Sequence, residues 1–188
     1  MTARTCLLGV LLISGTILSA QEVEVPKYEV GLNYSGIHVN SANFDYQRNG
    51  NGGSGYFAYN LNKVVGLVGD FGGYANTNKD NRLMTYLFGP RFTWRHAKWN
   101  PYTQFLFGGA HAWAGESAHD KTQNAFATAA GGGIDYNLNH RISIKPIQVE
   151  YVMTQLDAAP IGGNVKGFGS HQNDVRYSAG VVFKFGER

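Results

Sequence analysis

The last strand-like segment of the chain places the strongest constraint on its fold. From Val175 to Phe185, apolar and aromatic side chains alternate with small or cationic ones. A β-strand sends successive side chains to opposite faces, so this pattern predicts a ribbon with one apolar and one polar face. A strand of about ten residues with an apolar outer face is what a transmembrane β-barrel requires. The apolar face is Val175, Tyr177, Ala179, Val181, Phe183 and Phe185, and the polar face is Arg176, Ser178, Gly180, Val182 and Lys184.

Seven earlier segments show strand-like alternation. The clearest places Met84, Tyr86 and Phe88 opposite residues such as Thr85. Another changes phase at Pro146, which predicts a one-residue β-bulge. Pro90 lacks a backbone donor and predicts a bulge or a break in strand pairing. The seven segments lie at about 27–37, 53–60, 64–74, 83–94, 101–113, 123–136 and 141–155.

The connections between these segments alternate in length. Those after the second, fourth and sixth segments are short turns, and the sequence Tyr-Asn-Leu-Asn occurs in two of them, at 59–62 and 136–139. Short turns on one rim and longer loops on the other are typical of a bacterial outer-membrane barrel. The sequence therefore predicts an all-β, eight-stranded antiparallel up-and-down transmembrane β-barrel over residues 21–188. The longer loops fall at 38–52, 75–82, 114–122 and 156–173.

The first twenty residues are predicted to be a signal peptide. Arg4 gives a positive start, a mostly apolar run follows, and Ala20 precedes the expected cleavage site. The single cysteine, Cys6, leaves with this segment, so we expect neither a disulfide nor a reactive thiol in the mature chain. Loss of Arg4 lowers the formal net charge from +3 to +2, which gives no reason to expect a nucleic-acid partner. We expect export and residence in the outer membrane.

Aromatic residues gather at the strand ends next to the short turns. Amphipathic rings favour the boundary between membrane and water, so these residues predict an aromatic girdle. Ordinary core aromatics in a soluble β protein are the alternative. The girdle comprises Tyr28, Tyr59, Trp94, Trp99, Tyr102, Tyr136 and Phe185. Tyr177, Val181 and Phe183 are expected to face lipid between the two rims.

Charged residues also occur on the polar faces of the strands. An eight-stranded barrel has an interior only wide enough for side chains, and an isolated buried charge is very costly. The charges are therefore expected to pair and to close the lumen, with Arg91 binding more than one carboxylate. An ion pathway is the alternative. The predicted lumen charges are Glu29, Asp70, Arg91, Lys145, Glu150, Arg176 and Lys184.

Two loop regions carry residue types that are found in catalytic sites. His111, Ser117, His119 and Asp120 lie close in one region, and Ser170, His171 and Asp174 in another. Catalytic sets are recognised by geometry rather than by closeness in sequence, and loops are commonly rich in these residues. A zinc site from His111, His119 and His171 would need distant segments to converge. We therefore assign no catalytic, cofactor or metal site and expect no enzyme activity.

Over about 27–185 the chain resembles the small eight-stranded outer-membrane barrels, namely the OmpA-type transmembrane domain and its OmpX-like relatives. The resemblance rests on the signal peptide, the eight alternating segments, the turn and loop lengths, and the terminal strand ending at Phe185. It implies a monomer surrounded by outer-membrane lipid, inserted by machinery that reads the last strand. A structural or surface-interaction role follows, with an extracellular ligand bound through loops 38–52 and 156–173. The alternatives are a lipid-modifying barrel enzyme, a soluble lipocalin-like carrier and a small-solute porin.

Overall fold

The computed structural model describes residues 25–40, 48–75, 82–114, 121–155 and 172–187. This part of the chain forms a closed barrel of eight antiparallel strands, in which each strand pairs with its neighbours in sequence and the last pairs with the first. The strands are β1 (Pro26–Asn40), β2 (Arg48–Asn60), β3 (Val65–Ala75), β4 (Arg82–Thr93), β5 (Trp99–Ala114), β6 (Lys121–Asn137), β7 (Ile142–Thr154) and β8 (Gln172–Glu187). The predicted fold class is confirmed. Residues 1–24 lie outside the described ranges, so the signal peptide stays a prediction.

The predicted alternation between the two faces is confirmed along the strands. In β4, Met84, Tyr86 and Phe88 are exposed on the outer face, while Thr85 and Leu87 are buried inside. Because the barrel is closed, no strand between the rims is left with an unpaired edge. No helix in the described ranges is long and apolar enough to cross a bilayer.

Both prolines act on the strand ladder as the sequence predicted. At Pro146 the pairing of β7 with β8 shifts by one residue between Lys145 and Gln148. Pro146 and Ile147 are consecutive exposed residues, which resets the alternation and keeps the apolar face outside. At Pro90 the pairing of β4 with β5 is interrupted between Phe88 and Arg91 without a change of register. A bulge therefore occurs at the first proline and a break at the second.

The two Tyr-Asn-Leu-Asn segments form equivalent turns. Asn62 Oδ1 accepts hydrogen bonds from the backbone N–H groups of Val64 and Val65 at 2.8 and 2.7 Å. Asn139 Oδ1 accepts from the corresponding groups of Arg141 and Ile142 at 2.8 and 2.7 Å. An asparagine side chain that binds nearby backbone in this way fixes a tight turn. The same turn structure is therefore used twice along the chain.

The expected bounds of two long loops are wrong. Strand β1 continues to Asn40 and β2 begins at Arg48, so most of the interval 38–52 is paired strand. Likewise β8 begins at Gln172, inside the interval 156–173. The segment 48–52 is rich in Gly and Asn and shows no apolar alternation, yet backbone hydrogen bonds extend the ladder without a side-chain pattern. The remaining loop residues lie outside the described ranges.

Candidate functional site

The candidate functional site is the interior of the barrel. All seven predicted lumen charges lie inside, none of them more than 8% exposed. The largest fully buried side chains in the described ranges include Arg91, Arg176 and Lys145, where a soluble domain would place large apolar groups. Each of these cations needs a polar or aromatic partner, because an unpaired buried charge is strongly destabilising.

Arg176 is the centre of the strongest ionic contacts. Its Nη1 lies 2.6 Å from Asp70 Oδ1, and its Nη2 lies 2.6 Å from Glu150 Oε2. Its Nε also donates to Glu150 Oε2 at 2.7 Å, and Nη1 donates to the Tyr74 hydroxyl at 3.1 Å. Asp70 is on β3, separated from β8 by β1 and β2, so this ion pair crosses the lumen. One guanidinium fork thus ties opposite walls of the barrel together.

The contacts of Arg91 differ from the predicted ones. Its Nη1 lies 3.7 Å from Glu29 Oε2, and its Nε donates to Gln104 Oε1 at 3.0 Å. The guanidinium stacks between two rings, 4.5 Å from the Tyr56 centroid and 4.2 Å from the Tyr102 centroid. The expectation that Arg91 binds several carboxylates is therefore wrong. Alternation locates a cation inside the barrel but does not identify which strand faces it across the lumen.

Lys145 contacts the same pair of rings. Its Nζ lies 4.1 Å from the Tyr56 centroid and 5.1 Å from the Tyr102 centroid, and it donates to Gln148 Oε1 at 2.8 Å. Two cations around two phenol rings make up a layer that we call the tyrosine clamp, formed by Tyr56, Tyr102, Arg91 and Lys145. Cation–π contacts contribute roughly 0.5–2 kcal/mol each, with the larger values where the cation is desolvated.

Glycines beneath the clamp make room for its rings. A Cβ atom added at Gly31 would overlap the Tyr56 ring, and one at Gly133 would lie 2.6 Å from the Tyr102 hydroxyl oxygen. Each glycine is the direct strand partner of its tyrosine, Gly31 of Tyr56 across β1 and β2 and Gly133 of Tyr102 across β5 and β6. The glycines in these strands therefore serve close approach, and only a hydrogen side chain leaves the rings their space.

Two glutamines connect the tyrosine clamp to the Arg176 contacts. Gln104 Nε2 donates to Glu150 Oε1 at 2.6 Å, and Gln148 Nε2 donates to Glu150 Oε2 at 2.7 Å. The Tyr102 hydroxyl donates to Gln148 Oε1 at 2.6 Å. The result is one continuous network from the clamp to Arg176, in which each amide carries both a donor and an acceptor role.

A further ionic layer lies nearer the short turns. Glu29 Oε1 accepts hydrogen bonds from Arg95 Nη2 at 2.9 Å and from Asn60 Nδ2 at 2.9 Å. The Lys184 ammonium donates to Asn137 Oδ1. Arg95 follows β4 rather than belonging to it, and its side chain turns back into the lumen, where it is 7% exposed. This layer closes the end of the barrel beneath the clamp.

Sequence reasoning missed three interior charges. Asp135 and Asp174 are buried at 4% and 1% exposure, and both occupy inward positions of the alternation, which was a usable signal. Arg95 follows the strand, so alternation gave no signal for it. Among the side chains that the structure describes, the interior then holds five acidic groups, Glu29, Asp70, Asp135, Glu150 and Asp174, and five basic groups, Arg91, Arg95, Lys145, Arg176 and Lys184. The formal charges of these ten described groups balance.

The outer face carries the expected apolar belt. Tyr177, Val181 and Phe183 are 48%, 36% and 37% exposed. At the short-turn end, the Trp99 and Tyr136 rings lie 4.6 Å apart. Tyr28, Trp94 and Phe185 are also exposed on this surface. The ring centroids of Tyr59 and Tyr28 lie 5.5 Å apart. The inclusion of Tyr102 in the girdle is wrong, because it is 3% exposed and points inward with Gln104, its partner in the alternation.

The histidine groups singled out in the sequence are not assembled by the described residues. His111 lies on β5, and its Nδ1 contacts the Asn124 side chain. Ser117, His119, Asp120, Ser170 and His171 lie outside the described ranges, and Asp174 points into the lumen. Within the described part of the chain, no group of three or more His, Cys, Asp or Glu side chains is arranged to hold a metal ion.

Comparison with known proteins gives a fold. Neither a protein-family model nor a curated protein sequence matches the chain. Among solved structures, Neisserial surface protein A is similar with a TM-score of 0.65 and 16% identity, over 85% of this chain and 97% of that one. Ail, the attachment invasion locus protein of Yersinia pestis, is similar with a TM-score of 0.59 and 16% identity, over 85% of this chain and 99% of that one. The outer membrane protein OprG from Pseudomonas aeruginosa is similar with a TM-score of 0.56 and 13% identity, over 87% of this chain and 97% of that one.

These identities are too low to transfer a role, but the coverage of both chains is nearly complete. The strand count, the closed antiparallel order and the charged interior agree with that likeness. The chain has the fold of the small eight-stranded outer-membrane β-barrels.

Proposed function

We propose that this protein is an integral outer-membrane barrel with a closed lumen and a structural or surface-interaction role. The observation that carries the proposal is the reversed distribution of polarity. Acidic and basic groups fill the interior, while residues such as Leu32, Phe71 and Phe107 are 62%, 54% and 57% exposed. Water on both surfaces would make that arrangement unfavourable, whereas hydrocarbon around the belt makes it favourable.

The filled interior supports a structural plug over a conduit. Arg176 joins β8 to β3 across the lumen, and the tyrosine clamp adds a second filled layer below it. An eight-stranded barrel offers space for side chains but not for an aqueous channel beside them. A small-solute porin would need the ionic layers to separate, at the cost of several kcal/mol for each broken pair.

Two rival functions receive less support. A lipocalin-like carrier needs an apolar interior, and this interior holds ten charged groups. A lipid-modifying enzyme needs nucleophile, base and orienting groups that converge. The residues suggested for that role lie mostly outside the described ranges, so nothing in the geometry favours it. We therefore propose a non-enzymatic role without cofactor or metal.

A surface-interaction role rests on the loops opposite the short turns. The similar structure Ail carries the name attachment invasion locus protein, and the proposal takes an attachment role for this chain by analogy with that name. For this chain we propose an extracellular ligand bound through the residues between β1 and β2 and between β7 and β8. We also propose that the protein is a monomer, that the terminal strand ending near Phe185 is read by the insertion machinery, and that cleavage follows Ala20.

Membrane fractionation tests the proposal. The expressed protein should sediment with outer membranes, resist extraction with alkaline carbonate, and float with vesicles on a density gradient. The mature form should begin at Gln21 by mass spectrometry. Recovery of the folded protein in the soluble periplasm would overturn membrane residence, while a different amino terminus would overturn only the cleavage prediction.

A further inference from the structure

The charged side chains that the structure describes on the short-turn rim are basic. We define this rim as the turns 61–64, 94–98 and 138–141 together with Pro26 and Lys27 at the start of β1 and Trp99 at the start of β5. Lys63, Lys98 and Arg141 are exposed there, one on each turn. The acidic side chains whose burial the structure describes all face the lumen, namely Glu29, Asp70, Asp135, Glu150 and Asp174. Glu187, the last residue of β8, pairs with Pro26 at this rim, and Arg188 follows it, so these two residues cancel each other in formal charge.

Backbone hydrogen bonds hold the three turns at fixed positions around the rim. The Val64 carbonyl accepts from Thr93 N–H at 2.7 Å, and the Lys98 carbonyl accepts from Asn137 N–H at 2.8 Å. The Arg141 carbonyl accepts from Lys184 N–H at 2.8 Å. Each turn is thereby bonded to the neighbouring strand or turn. The cations consequently project from a rigid ring rather than from mobile loops, so little conformational freedom of the backbone is lost when they bind.

Apolar side chains lie among these cations. Leu61 and Leu138, at equivalent places in the two matched turns, are 41% and 57% exposed. Trp94 on the middle turn and Trp99 at the start of β5 are 51% and 53% exposed. Leucine and tryptophan beside lysine and arginine fit the boundary of a bilayer, where apolar groups enter the acyl region and cations reach the phosphates. A purely aqueous acidic partner would leave the leucines in water.

We propose that the short-turn rim binds anionic phospholipid headgroups, with Lys63, Lys98 and Arg141 contacting the lipid phosphates of the leaflet on that side. The proposal rests on the membrane residence proposed above. Positive side chains next to an anionic bilayer surface gain free energy from the surface charge, and each gives a roughly fivefold preference over an uncharged surface. The aromatic and leucine side chains set the depth at which the cations lie.

Brominated lipids measure this preference at the rim itself. The chain has three tryptophans, and Trp113→Phe leaves Trp94 and Trp99, both on the short-turn rim. The protein is reconstituted in phosphatidylcholine vesicles that contain equal mole fractions of either phosphatidylglycerol or phosphatidylethanolamine, brominated near the glycerol. Quenching of tryptophan fluorescence then gives a relative association constant for each lipid. The phosphatidylglycerol constant should be roughly five times that for phosphatidylethanolamine in low salt, and should fall as salt is raised.

Matched variants assign the effect to the rim. Lys63→Gln, Lys98→Gln and Arg141→Gln together should bring the ratio of the two constants close to one. Arg82→Gln removes an exposed cation where β4 begins at the opposite rim, and should leave the ratio unchanged. Equal quenching by both lipids in the unmodified rim, or a preference that survives the triple change, would overturn the proposal.

Two further outcomes separate the causes of failure. If soluble polyglutamate protects the rim tryptophans from an aqueous quencher while the lipids show no preference, the surface belongs to an acidic macromolecule and the proposal is overturned. If the protein does not float with the vesicles, membrane residence itself is overturned, and with it the lipid site. Flotation without lipid preference overturns only the lipid site.

Discussion

Removal of the Arg176 side chain should destabilise the barrel more than any other single change to the interior network. The guanidinium contacts Asp70 and Glu150 at 2.6 Å each, and all three side chains are about 1% exposed. Arg176→Met keeps much of the volume but removes the charge and the donors. Both carboxylates then lose their cation in a low-dielectric interior.

The structure indicates which carboxylate accounts for most of the stability lost in Arg176→Met. Glu150 still accepts hydrogen bonds from Gln104 and Gln148, at 2.6 and 2.7 Å, so part of its charge remains stabilised. Asp70 loses the partner that binds it across the lumen. Leaving one partner of a buried pair uncompensated costs roughly 3–5 kcal/mol. Uptake of a proton by an ordinary aspartate at pH 7 costs about 4 kcal/mol, which limits the penalty from above.

The assay is reversible urea unfolding in phospholipid vesicles, followed by tryptophan fluorescence. Arg176→Met should lower the free energy of unfolding by roughly 3–4 kcal/mol. The double variant Arg176→Met with Asp70→Asn should recover at least about half of that loss, because the uncompensated charge is gone. A loss of unfolding free energy below about 1 kcal/mol for the single variant, or no recovery in the double variant, would refute the claim that Arg176 is the main ionic contact across the lumen.

The remaining changes test other layers by the same assay. Val181→Arg on the lipid-facing side of β8 should cost about 2–4 kcal/mol near mid-depth, while Val181→Leu should be close to neutral; equal tolerance would show that the two faces are misassigned. Gly31→Ala should cost about 1–3 kcal/mol because the new Cβ overlaps Tyr56, whereas Gly73→Ala, with no atom within 4 Å of its Cβ, should change little; equal effects would contradict the close-approach argument. Arg91→Met should cost about 1–3 kcal/mol, less than Arg176→Met, because Glu29 keeps its bond to Arg95, and a larger loss would contradict that order.

The strands could be predicted because their signal is local. Alternation of apolar and polar residues follows from backbone geometry alone. The change in phase of this alternation at Pro146 indicates the bulge there. The matched turns were visible because one asparagine after each strand binds the next backbone N–H groups. Residues 48–52 were missed as strand because the ladder there is held by backbone bonds and carries no side-chain pattern.

Contacts across the lumen could not be predicted from the same signal. Alternation determines that Arg91 and Arg176 point inward, but the choice of partner depends on how the strands tilt and stagger around the barrel. Arg176 therefore holds two carboxylates, while Arg91 stacks on two tyrosine rings. Tyr102 was misassigned by its place near a rim, although its phase with Gln104 already indicated the interior.

Electrical recording tests the central claim of a membrane barrel with a closed lumen most directly. Proteoliposomes that have floated on a gradient, with the number of inserted copies counted, are fused to a planar bilayer. The ionic layers between β3, β7 and β8 should keep the unmodified protein free of any steady, porin-like conductance. A reproducible open pore from the unmodified protein would contradict the plug and establish transport as the function.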